Sequence, residues 1–137
     1  MNLSTVVGIY LALFQAFTYV PDVVQYGVPD DQRSHADAVR RGEKFKDDCD
    51  GFAMTCRDLM RRAGIRAWLV SVQMPKLSGG DRHMFCAFVD PADRVTKTLD
   101  NRYVGIRTYD DTMSGSMYRS PEAIEAPSGA SAHPGSL

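Results

Sequence analysis

Cys49 stands in the run Lys46-Asp47-Asp48-Cys49-Asp50-Gly51-Phe52-Ala53, at the first turn of a strongly patterned helix. A helix start offers unsatisfied backbone N–H groups and the positive end of the macrodipole, which favour thiolate over thiol and can hold an oxyanion. Two other residues could complete nucleophilic chemistry: His83, opening one strand, and Asp100, near the end of the next. A thiol, an imidazole that takes its proton and a carboxylate that orients the imidazole are the parts of covalent acyl transfer. The chemistry would be attack of Cys49 on an amide or peptide carbonyl, with N–H groups near Cys49 on the oxyanion. Water as the second nucleophile gives a peptidase, an amine a transglutaminase.

The elements that must position these groups are read from periodicity. Cys49, Phe52, Ala53, Cys56, Leu59, Met60 and Ala63 recur at helical spacing, with Asp50, Arg57, Asp58, Arg61 and Arg62 on the other side. Asp47 or Asp48 is the expected N-cap, and Gly64 sits where a left-handed C-terminal cap belongs. An earlier helix is predicted from Leu3, Val6, Val7, Tyr10, Leu13, Phe14 and Phe17, capped by Ser4 or Thr5. Turns follow at Pro21, Gly27 and Pro29, then a polar segment with helical character from Ser34 to Arg41. After Gly64 the period becomes two: a strand through Trp68, Val70, Val72 and Met74 ends at Pro75 and the Ser78-Gly79-Gly80 loop. Strands from Arg82 to Val89 and from Val95 to about Tyr103 flank the turn Asp90-Pro91-Ala92-Asp93 and are expected to form an antiparallel hairpin.

The hairpin brings the base and the carboxylate together. A two-residue connection through Pro91 and Ala92 pairs Asp90 with Asp93 and, counting outward, His83 with Asp100. Directly opposed residues have Cβ atoms about 4.5–5.5 Å apart, close enough for a carboxylate to hold an imidazole N–H. A one-residue slip in one strand would put them on opposite faces. Zinc binding by Cys49, Cys56, His83 and Cys86 is disfavoured, because Cys49 and Cys56 lie two helical turns apart and Cys86 points opposite to His83. A binding or virion-associated structural module without turnover is the competing reading, although a scaffold has no physical need for this trio.

The 137 residues, 44% hydrophobic and 24% charged, suffice for one core. They are expected to form an α+β domain over 1–112, with a Gly/Ser/Pro/Ala-rich tail at 113–137 that is mostly disordered. The net charge of −1, from 16 basic and 17 acidic residues, removes the electrostatic argument for nucleic acid or an acidic membrane. Arg57, Arg61 and Arg62 read as a solvated helix face. Three cysteines without a C-x-x-C pair describe no disulfide framework, and Cys56 and Cys86 read as core. The apolar run from Val6 to Phe14 is too short to span a bilayer. No Lys or Arg occurs before Arg33, and no small-x-small site follows the run cleanly, so an export signal is not expected. His35 is read as lying in a polar stretch without partners, and His133, inside the tail, as a poor candidate for catalysis or a metal.

The motifs Asp48-Cys49-Asp50 opening a helix, Arg82-His83-Met84 opening a strand and Leu99-Asp100-Asn101 ending the next resemble the bacterial transglutaminase-like cysteine proteinases of the papain-like transglutaminase superfamily. The resemblance extends upstream through Tyr19-Val20-Pro21-Asp22 and Tyr26-Gly27 and, more weakly, downstream to Tyr118. It implies a papain-like or transglutaminase-like core with the nucleophile's helix packed on an antiparallel sheet. It also implies Cys49 as nucleophile, His83 as general base, Asp100 as orienting acid, and a protein or peptide substrate. Family members often carry acids immediately before and at one or both positions after the cysteine, some of which bind calcium. Here Asp48 and Asp50 match as implied calcium ligands, while Gly51 replaces the second following acid. The chemistry itself requires no cofactor. Known members include periplasmic and phage-encoded proteins; for this chain a cytoplasmic or phage-associated setting is expected over a periplasmic one. Asp47, Asp48 and Asp50 would raise the thiol's pKa by like-charge repulsion, which the helix dipole, a protonated His83 or a bound hard cation would offset.

Overall fold

A computed structural model describes residues 2–20, 34–75 and 82–127. The turns read at Pro21, Gly27 and Pro29, the Tyr26-Gly27 motif, the Ser78-Gly79-Gly80 loop and tail positions 128–137 lie outside the described residues. Thr5 caps α1 (Val6–Ala16), its hydroxyl accepting the Gly8 N–H at 3.1 Å. The buried stripe of α1 is Val6, Ile9, Ala12, Leu13 and Ala16, whereas Val7, expected inside, is 59% exposed. The segment is apolar on nearly every side, so its own periodicity did not decide which face turns inward.

From α1 the chain runs into β1 (Phe17–Tyr19), which pairs in parallel with β2 (Phe45–Asp47) across the short helix α2 (Ala36–Arg40). β2 feeds directly into α3 (Cys49–Arg62), with Asp48 as N-cap. Gly64, at φ 83°, ends α3 in the left-handed conformation, and the Ile65 N–H returns to the Met60 carbonyl at 2.9 Å. The main sheet comprises β3 (Ala67–Gln73), β4 (Arg82–Val89), β5 (Thr96–Leu99), β6 (Arg107–Thr108) and β7 (Arg119–Ala123), with α4 (Tyr109–Gly115) between the last two. Its order is β6-β5-β4-β3-β7, antiparallel throughout.

Strand alternation divides the core. Phe52, Cys56, Leu59 and Met60 of α3 pack with Ala67, Cys86, Phe88 and Leu99 on one face of the sheet. Val70, Val72, Phe85 and Ala87 face the other way and are covered by Tyr118. Cys56 and Cys86 are fully buried, as expected of core thiols. Among the described residues, no helix is long and apolar enough to cross a membrane.

Four expectations change. The β4–β5 connection is longer than two residues: Asp90 pairs with Val95, and Arg94 takes the left-handed conformation at φ 60°. Lys97 closes the loop by bridging Asp90 at 2.7 Å and Asp93 at 2.9 Å. β5 stops at Leu99 rather than near Tyr103, because the Tyr103 N–H bonds the Asp100 carbonyl at 3.1 Å and turns the chain. The tail boundary at 112/113 falls inside the fold, since residues 113–123 complete α4, bury Tyr118 and form β7. Every β7 side chain is exposed, so that strand carries no hydrophobic alternation to read. The arginine strip is a clamp: Arg57 and Arg61 hold Glu125 at 2.7 and 2.8 Å, and Arg62 holds Asp37 at 2.7 Å.

Phe52 joins α1 to α3, with its ring 5.5 Å from Phe14 and 4.8 Å from Phe17. Phe52→Ala is expected to destabilise the domain by about 3–5 kcal/mol, measured as a shift of the urea midpoint at constant slope.

Candidate active site

The helix carrying Cys49 begins where β2 ends, and its start is built from acids. The Asp48 carboxylate accepts the N–H groups of Asp50 at 3.0 Å and Gly51 at 3.1 Å. Asp47 turns inward, fully buried, and accepts from its neighbour's N–H at 2.8 Å. Its other oxygen lies 2.7 Å from His35 Nε2. Gly51 makes this possible, because a Cβ there would come within 2.0 Å of the Asp47 carboxylate. His35 therefore has partners: Asp47, the Thr55 hydroxyl on its N–H at 2.8 Å, and the Phe45 ring stacked at 4.7 Å.

Cys49 is half-buried, and its thiol donates to Asp50 Oδ1 at 3.4 Å. Burial, then the charge of Asp50, pushes the thiol up to about 12, although the Met84 backbone N–H bonds the sulfur and pulls the other way. The Met84 N–H is available because β5 ends early. Along β4 the N–H groups alternate sides: that of Val89 reaches Arg66 on the β3 side, so that of Met84 points toward β5. β5 pairs only as far as Leu99 opposite Cys86, which leaves that edge of β4 open for the sulfur. The nitrogen holding the sulfur belongs to the peptide joining His83 to Met84, so the Cys49 sulfur lies against the β4 backbone next to His83, whose side chain turns to the Val72 face of the sheet.

His83 and Asp100 are brought together by a register other than the expected one. The observed ladder pairs Val89 with Thr96 and Cys86 with Leu99, so His83 and Asp100 are diagonal rather than directly opposed. The longer connection shifts the ladder by an even step and preserves the shared face. His83 Nε2 lies 2.8 Å from Asp100 Oδ1, with side chains 6% and 3% exposed. Burial alone would raise the Asp100 pKa. The bonds from His83, the Arg102 N–H and the Tyr118 hydroxyl outweigh it and hold the carboxyl below its ordinary range. With Nε2–H given to Asp100, the other ring nitrogen, Nδ1, carries the lone pair that can take a proton.

Calcium takes six to eight oxygens. Asp48 and Asp50 supply two carboxylates, both already bonded within the protein, and Asp47 faces His35. Among the described residues no group of three or more His, Cys, Asp or Glu side chains is arranged to hold a metal ion, so these residues alone do not fit a calcium ion.

The helix on an antiparallel sheet, with the cysteine at the helix start, is a transglutaminase-like fold of α+β type. Among solved structures it is shared with Legionella pneumophila LapG, a transglutaminase-like cysteine protease, at TM-score 0.56 and 16% identity over 91% of this chain and 68% of that one. EGTA-treated LapG matches at TM-score 0.57 and 18% identity, covering 98% of this chain and 68% of LapG. Calcium-bound LapG gives 0.57 and 14%, covering 95% and 75%. No family model matches the sequence, and no curated protein does.

Two residues of the site escaped the sequence reading. His35 lies twelve positions from Asp47 with no spacing rule to connect them. Tyr118, whose hydroxyl reaches Asp100 Oδ2 at 2.7 Å, marked only the weak end of the resemblance. A large aromatic just after the Ser114-Gly115-Ser116 stretch was the available signal.

Because the Asp50 charge adds to burial in raising the thiol's pKa, removing it lowers that pKa. Asp50→Asn is expected to move the pH dependence of Cys49 alkylation downward, on the order of one pH unit. The rate of iodoacetamide modification against pH, mapped by mass spectrometry, measures it. A midpoint at the wild-type position would show that the Asp50 charge does not set the thiol.

Proposed function

We propose that Cys49, His83 and Asp100 act as a triad in thiol-dependent acyl transfer, with hydrolysis of a peptide or amide bond as the favoured outcome. The observation carrying this reading is the convergence on one peptide unit of β4: the Cys49 sulfur on the Met84 N–H, and His83 held through Nε2 by Asp100. The fold shared with LapG supports a protein or peptide substrate.

The resting thiol is protonated and turned to Asp50, so catalysis begins when it swings to His83 Nδ1 and gives up its proton. The thiolate adds to the substrate carbonyl and forms the carbon–sulfur bond. Asp48 occupies the Asp50 and Gly51 N–H groups, which leaves the Cys49 N–H as the helix-start donor for the oxyanion. Protonated His83 returns its proton to the leaving amine as the amide bond breaks, leaving a thioester. Water, deprotonated by Nδ1, then attacks the thioester and releases the acid and the Cys49 thiol. An amine in place of water would give transamidation by the same steps. Asp100 remains the carboxylate throughout, holds the imidazole in the tautomer that offers Nδ1, and stabilises the imidazolium when it forms. No step is routed through a metal.

His83→Ala removes the base without touching the helix. Iodoacetamide labelling of Cys49 at neutral pH is expected to fall by about two orders of magnitude or more, the usual scale of general-base assistance, while Cys56 and Cys86 stay inert in both proteins. Equal labelling rates of Cys49 in the two proteins would instead favour a non-catalytic module.

A further inference from the structure

Residues 116–127 form a strap along the β3 edge of the sheet, with Tyr118 on the face away from α3 and Glu125 against α3. Its backbone adds β7 to β3, with Gln73 paired to Arg119 and Val70 to Ala123. Arg82, immediately before His83, donates to the Ser120 carbonyl at 2.8 Å. Glu125 is gripped by Arg57 and Arg61 of the nucleophile's helix. Between these anchors the strap delivers Tyr118, and the backbone is unusual on both sides of it. Met117 and Ser120, neither a glycine, take φ 63° and φ 50°. Such conformations are uncommon for residues with a side chain and persist where the surroundings enforce them.

Packing explains the ring but not the hydroxyl. Tyr118 is 2% exposed and stacks on Phe85 at 6.0 Å, with Tyr103 edge-on at 6.3 Å and the Arg102 guanidinium 6.0 Å above it. A phenylalanine would make the same contacts. What it would lack is the O–H, which donates to Asp100 Oδ2 at 2.7 Å, while Oδ1 accepts from His83 at 2.8 Å and the Arg102 N–H at 3.0 Å. Donors on both oxygens fix the carboxylate's rotation about its terminal bond. With Oδ2 unoccupied, Asp100 could turn, and a buried unpaired acceptor would remain.

We propose that Tyr118 is a positioning residue of the site: its hydroxyl locks Asp100 so that Oδ1 holds His83 in the Nε2–H tautomer, leaving Nδ1 toward Cys49. The assignment rests on the triad reading only for its consequence at Cys49; the tautomer itself is independent of turnover. Burial and the Asp100 charge push the phenol's ionisation far above its ordinary value, so Tyr118 remains a donor at every working pH.

Tyr118→Phe is the test, with two readouts besides melting temperature. Heteronuclear NMR of the His83 ring nitrogens is expected to show one tautomer in the wild type and a mixture in the variant. Cys49 alkylation is expected to slow by about ten- to a hundredfold, by analogy with losing the partner that orients a metal-ligating histidine. A variant with a lower melting temperature but the wild-type tautomer and alkylation profile would reduce Tyr118 to a core residue and overturn the proposal. If alkylation proves insensitive to His83→Ala, the triad reading fails by itself, and the tautomer still decides Tyr118. If Tyr118→Phe does not fold, fluorotyrosine at position 118, nearly isosteric and more acidic, carries the test. A displaced His83 Nε2–H resonance supports the lock, and an unmoved one removes it.

Discussion

A sheet with complete ladders has no room for a foreign atom, because every inward N–H is claimed by the next strand. The candidate site exists because one ladder is left incomplete. β5 ends opposite Cys86, the chain turns at Asp100, and the Met84 N–H is left facing a gap that the Cys49 sulfur fills. The same turn positions Asp100, since the backbone that abandons the ladder carries the carboxylate beside His83. The thiol's N–H donor and the carboxylate's place beside the imidazole thus both follow from one early strand ending, with the core packed on both faces of the sheet.

The cost of that arrangement is electrostatic. A buried carboxylate is unfavourable unless its oxygens are satisfied, and Asp100 meets the condition with three donors from three segments of chain. Asp47, equally buried, is paired to His35 below the helix start. Burial, with the charge of Asp50 and more weakly that of Asp48, keeps the resting sulfur protonated. The helix dipole opposes this effect, but its worth at a helix end is about 0.3–1 kcal/mol, rising to roughly 2 in partly buried geometry. That is small against a rise to about 12, so the helix dipole alone leaves the resting thiol protonated.

Much of this was legible in the sequence where local rules suffice. The α3 periodicity, the Asp48 cap and the Gly64 stop fixed the helix that carries Cys49, and β-alternation located the strand beginning at Arg82. The His83–Asp100 pair came from correct topology with the wrong loop length; an even shift in register changes the partner but not the face, so the error left the conclusion standing. What was hidden depended on long-range geometry. The Asp47–His35 pair crosses from the helix start to α2, and the Gly51 requirement appears only once Asp47 is seen filling the space of a side chain. The last strand was missed because it pairs through its backbone while all five of its side chains meet solvent. Neither composition nor periodicity registers such a strand.

The clamp on Glu125 bears on the order in which the domain can form. The carboxylate joins Arg57 and Arg61 across 68 and 64 residues of chain, among the most distant side-chain pairings in the molecule. During synthesis the nucleophile's helix and its β3–β4 hairpin leave the ribosome well before residue 125, so one flank of β3 waits unpaired for β7. Closing a loop of that length carries an entropic cost, so the β3 edge that β7 covers, with its Glu125 clamp, is completed only after the helix and hairpin it joins have been made.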